Sequence, residues 1–171
     1  MSKYFKTFLV TIITFSSSVS FAQTPLEFNN KLAYILDSVY KMGTAWGTKF
    51  GELNGSSKNF GELKPYRVNI DNYINDEIKE LNTTKDVSGS ENFRQTMISF
   101  LQFETELINK TFVPVEKLNA SSDSTSVQKC FEYLIEESKK EGTYLDNVRS
   151  VQKEYAEKNN FEIQSAEGTN K

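Results

Sequence analysis

The chain of 171 residues contains no histidine. Bundle-type di-iron centres need Glu-x-x-His pairs, and haem bundles, hydrolytic triads and most zinc sites draw on a histidine as well. None of those can be built here, and no cofactor or metal is expected. A single cysteine, Cys130, excludes an internal disulfide and every paired-cysteine motif. It reads as a small apolar residue beside Phe131 rather than as a reactive thiol. A phosphate loop and a dinucleotide glycine fingerprint are also missing. Basic residues are scattered, with only Lys139-Lys140 adjacent, so no stripe exists to track a phosphate backbone or an anionic membrane surface. Alternating runs of β-branched residues, the mark of strands, are lacking too. Nucleic acid is therefore not an expected partner, and helix is the expected structure.

What is present begins with a three-part leader. Lys3 and Lys6 make a basic start, Phe8 to Phe15 a short apolar run, and Ser20-Phe21-Ala22 a small-residue end. This pattern predicts a secretory signal peptide over residues 1–22, cleaved before Gln23. The run is shorter than the ~20 residues a membrane span needs, and no cysteine follows it to accept a lipid. Losing Lys3 and Lys6, and no acid, takes the formal charge from −3 to −5. The 37% hydrophobic and 25% charged composition suits one globular domain.

Phe28, Leu32, Ile35, Val39, Met42, Trp46, Phe50 and Leu53 recur at spacings of three and four, which predicts an amphipathic helix from about Pro25 to Phe50. Thr24 supplies its cap and Pro25 its first turn. A second helix is expected from about Phe60 to Leu81 (Leu63, Ile70, Ile74, Ile78, Leu81), with Pro65 in its first turn. A polar linker follows from Asn82 to Ser90. The third helix starts there, with Phe93, Met97, Phe100, Leu101, Leu107, Ile108, Val115 and Leu118 on its face. Pro114 predicts a kink between Asn109 and Val113. A fourth helix is expected from about Ser124 to Asn159, with Val127, Phe131, Leu134, Leu145, Val148 and Tyr155 on the seam. The result is an all-α, up-down-up-down four-helix bundle over residues 23–163, with a mobile tail at 164–171.

Two groups of residues stand out as candidate sites. Gly43, Gly47 and Gly51 repeat every fourth residue beside Trp46, although each interior glycine costs a helix roughly 1 kcal/mol. Either the helix loosens towards its end, or a small-residue strip lets a second backbone or a flat ligand approach Trp46. The second group is a set of polar residues on seam positions: Arg67, Glu104, Ser138, Glu141 and Gln152. Unpaired buried charge is costly, so these should meet one another or reach water. One arrangement is an Arg67–carboxylate pair that fixes register. The other is a polar pocket in which Glu104 and Glu141 bind a cation or do acid-base work. Two acids without histidine make a poor metal site. Flanking tyrosines, among them Tyr34, Tyr40, Tyr66, Tyr73, Tyr133 and Tyr144, either close the bundle's rim or offer a stacking surface.

Phe28-Asn29-Asn30 at the first helix, Asn92-Phe93-Arg94 and Phe100-Leu101 in the third, and Gln152, Tyr155, Ala156 and Asn159 near the end are similar to a family of small secreted bacterial surface proteins of unknown function. The resemblance implies an exported helical bundle without assigned chemistry, in families that are often lipid-anchored. This chain departs from that pattern in having no lipidation cysteine. The sequence thus leads to an exported periplasmic or surface protein, monomeric or weakly associating, that binds a protein partner or small ligand and has no catalytic residue. The alternative is a cofactor-independent enzyme or cation-binding protein built on Glu104 and Glu141.

Overall fold

The computed structural model describes residues 23–163. The expected leader (1–22) and tail (164–171) lie outside the described residues. Helix α1 spans Pro25–Asn54 and opens on a complete capping box. Thr24 Oγ1 accepts the Glu27 amide at 3.2 Å, while the Glu27 carboxylate accepts the Thr24 amide at 2.7 Å. After a 3₁₀ turn at Phe60–Leu63, α2 runs Lys64–Thr83 with Pro65 in its first turn. Helix α3 is Glu91–Leu107. Its start is held from outside: the Asp86 carboxylate accepts the amides of Gly89 at 2.8 Å and Glu91 at 3.0 Å, filling the role of a cap.

The break expected from Pro114 takes a definite form. Residues Ile108–Phe112 make a π-helical turn before the short α4, Val113–Glu116. Proline has no amide to offer the preceding turn and its ring crowds that carbonyl, so the helix widens just before it. Thr111 Oγ1 donates to the Leu107 carbonyl at 2.7 Å, satisfying an acceptor inside the widened turn. After a short loop, α5 runs Ser124–Lys158 from an Asp123 cap that accepts the Ser126 amide.

Counting α3, the π turn and α4 as one broken helix, residues 25–158 form a strand-free four-helix bundle among the described residues. Neighbours run antiparallel. Lys31 near the start of α1 pairs with Glu80 near the end of α2, and Lys49 near the end of α1 with Glu62 ahead of α2. Arg94 at the start of α3 donates to the Leu81 carbonyl at the end of α2 at 2.8 Å. Phe28, Phe93 and Tyr155 bring the starts of α1 and α3 against the end of α5, with ring centroids 5.6–6.2 Å apart. Phe28, Leu32, Leu63, Ile74, Leu81, Met97, Leu101, Val115 and Val148 are among the fully buried side chains, each contributing on the order of 1.5–3 kcal/mol.

The packing is uneven along α5, and that unevenness shapes the site. Its second half is well seated, with Val148, Val151, Tyr155 and Ala156 buried. In its first half Val127, Phe131 and Leu134 are only half-buried, and Ile135 is exposed. Helix α5 packs chiefly on α3 and only lightly on α1, leaving a gap between α1 and the middle of α5, from Leu134 to Arg149. No helix among the described residues is long and apolar enough to cross a membrane.

Candidate functional site

The gap is a cleft of about 730 Å³, within the range of small-molecule sites. Leu36 and Val39 of α1, Phe100 and Leu107 of α3, Phe112 of the π turn, and Leu134 and Leu145 of α5 make its walls apolar. Asp37, Tyr40, Thr44 and Arg149, all exposed, ring the side open to solvent. Into this apolar setting the bundle places two carboxyl groups, Glu104 from α3 and Glu141 from α5.

Glu104 sits on the core face of α3 because it continues the spacing of Met97, Phe100 and Leu101. It is 6% exposed, and its Oε1 has no hydrogen-bond partner. Burial, reinforced by the nearby charge of Glu141, pushes the Glu104 carboxyl up to about 8. At neutral pH Glu104 is therefore mostly a protonated acid. Glu141, half-buried one heptad after Leu134, is also raised by burial. Leaving a buried acceptor unsatisfied costs about 1–3 kcal/mol, and packing elsewhere in the bundle offsets it. Such a group in a cleft marks a functional-site candidate on physical grounds.

The remaining seam residues are dispersed. Arg67 does form a carboxylate pair, but with other acids: Nε donates to Glu116 at 2.8 Å and Nη1 to Asp71 at 2.7 Å. It ties α2 to α4 and does not join Glu104 or Glu141. Gln152 donates to Asn29 Oδ1 at 2.8 Å, linking α5 to the start of α1. Ser138 lines the cleft but is exposed rather than inward, and its hydroxyl donates to the Ile135 carbonyl at 2.9 Å. The inward place beside it belongs to Glu137, which is buried and paired with Lys140 at 2.5 Å. Cys130 is half-buried and packs against the core.

Trp46 and the glycine strip require correction as a binding surface. Trp46 is 3% exposed and lies between Phe50 and Phe112, its ring 3.8 Å from Phe112 and nearly parallel to it. It is a core residue because it stays in the register of the Phe28-to-Leu53 stripe. Gly43, Gly47 and Gly51 form no close-approach strip within the chain, since a Cβ added at any of them would meet nothing within 4 Å. The helix does not loosen there either, continuing unbroken to Asn54. Of the three, only Gly43 lines the cleft.

Sequence reasoning named Tyr40 as a flanking tyrosine but missed Asp37 and Thr44 beside it. Asp37, Tyr40 and Thr44 share one face of α1 by their spacing of three and four, a signal present beside the apolar stripe. Among the described residues no three metal-ligating side chains stand together. A second groove of about 440 Å³, between Phe60 and the start of α5, has no unpartnered buried acid. Comparison of the chain with family models, with curated proteins and with solved structures gives no match.

Proposed function

We propose that the chain is an exported helical-bundle binding protein, without catalytic chemistry of its own, whose cleft between α1, α3 and α5 takes a small amphiphilic ligand. One observation carries this reading: a carboxyl group held almost wholly out of water, lacking a partner for one oxygen, faces an apolar cleft large enough for a ligand. A bundle of this size needs no ligand to fold, and a leucine at position 104 would cost it less. Export is supported by the leader pattern of residues 1–22 and by the resemblance to small secreted surface proteins.

The chain supplies its own reporter. Trp46, its single tryptophan, stacks on Phe112, and Phe112 lines the cleft. Trp46 emission is to be titrated with 1-octanol, octylammonium and octanoate, in the natural chain and in Ala33→Trp, which fills the cleft mouth from an exposed position. Ala33→Trp adds a second emitter, so its binding is read by calorimetry. The reading requires saturable binding of at least one of the three that Ala33→Trp abolishes; no binding of any sends the reading down. Intact mass from the exported fraction of the host tests export, with Gln23 the expected first residue.

The meeting of Glu104 and Glu141 in one solvent-open cleft supports a second reading, acid-base chemistry on the bound molecule. Mass spectrometry of the ligand after incubation separates the two: an unchanged ligand supports binding alone, and a Glu104-dependent product supports catalysis.

A further inference from the structure

We infer that the cleft selects a singly charged organic cation, an ammonium head on an apolar body, with the head seated between Glu104 and Glu141. The inference rests on the binding reading above and names its ligand class.

Three observations converge on it. The unpartnered Oε1 of Glu104 is an acceptor, and a carboxylate accepts most strongly from a charged N–H donor. The cleft also carries two acids without a basic partner, Glu104 and Glu141; its third acid, Asp37, pairs with Lys41 at 2.6 Å, and its one base is Arg149. Arg149 is largely exposed and engaged with Asp146 at 3.1 Å on its own helix. A neutral donor would satisfy Oε1 but bring no charge to let Glu104 give up its proton beside Glu141. An ammonium answers both needs, because its charge lets both carboxylates ionise side by side.

The walls decide against the other cations. A divalent metal ion wants six or more oxygen ligands or retained water, and these walls are mostly leucine, valine and phenylalanine. They suit a hydrocarbon body. Leu134 and Leu145 stand eleven residues apart on α5, roughly 16 Å along a helix, which is room for an extended eight-carbon chain.

Isothermal titration calorimetry of the residue 23–171 protein with octylammonium, 1-octanol and octanoate tests this. Octylammonium should bind at least tenfold more tightly than 1-octanol, and octanoate more weakly than either. Glu104→Gln and Glu141→Gln should each cut the octylammonium preference below threefold, with circular dichroism confirming that both fold. Binding of 1-octanol or octanoate as tight as octylammonium overturns the inference while leaving the cleft a binding site. A tenfold preference that survives in Glu104→Gln overturns it as well. If none of the three binds, the binding reading and the inference fall together.

Discussion

Glu141 on α5 stands near enough to Glu104 on α3 for its charge to add to burial in holding the Glu104 carboxyl up to about 8. Two acids brought together by different helices, in a cleft walled by hydrocarbon, form an arrangement that a bundle gains nothing from for stability alone. Its physical consequences can be measured without knowing the ligand.

The first is a pH dependence of stability. Glu104 rises from 4.5 to about 8 on folding, so between those values the folded chain holds a proton that the unfolded chain releases. Stability is undiminished below about pH 4.5, falls as pH rises towards 8, and then levels off. The loss from this one group is on the order of 5 kcal/mol. Glu104→Gln, which cannot ionise, should show a flatter Tm profile between pH 5 and 8 and a higher Tm than the natural chain at pH 8.

Trp46→Ala should cost about 3–5 kcal/mol in denaturant unfolding, as for other large-to-small changes in a core. The stacks on Phe50 and Phe112 are lost together. A surface role would instead leave stability nearly unchanged and reduce binding.

The glycines divide by environment. Gly47→Ala and Gly51→Ala, in open space on α1, should each stabilise the chain by about 0.5–1 kcal/mol. Gly89→Ala should destabilise it by about 1 kcal/mol, because Gly89 holds φ at +80°. The Lys158 terminus that its Cβ would meet can swing aside, but the backbone angle cannot change. Thermal unfolding of the three variants checks both signs.

Asn29 and Gln152 offer a double-mutant cycle. Asn29 is buried, and the 2.8 Å bond from Gln152 joins the two ends of the described chain. Alanine at both positions should reveal a coupling of about 0.5–1.5 kcal/mol. Zero coupling would mean the contact does not form in solution.

Much of this fold was legible because helix signals are local. Thr24-Pro25 sets the start of α1, the stripes set the four core faces, and Pro114 announces the break that appears as the π turn. The register of Glu104 and Glu141 was readable from Met97, Phe100 and Leu134, and both do reach the cleft. Trp46 was readable too: its place on the stripe predicted burial, and the adjacent glycines misdirected attention to the surface. Ser138, counted from Leu134 as Glu141 was, also lines the cleft but stays exposed, because α5 is only half-buried around Leu134. The partners of Arg67 were half-visible. Asp71 is four residues on, but Glu116 lies beyond the π turn, where the added width shifts the register. Of the residues quoted for the family resemblance, Phe28, Asn29, Phe93, Arg94, Gln152, Tyr155 and Ala156 cluster where the starts of α1 and α3 meet the end of α5, while Phe100 lines the cleft.

The most direct test of the account is a carboxyl carbon-13 NMR titration of Glu104 in the natural chain and in Glu141→Gln. The account predicts a midpoint near 8 in the natural chain and a lower one once the neighbouring charge is gone. A midpoint near 4.5, unmoved by Glu141→Gln, would contradict it, because Glu104 would then be a solvated or partnered acid with nothing left for a ligand to satisfy.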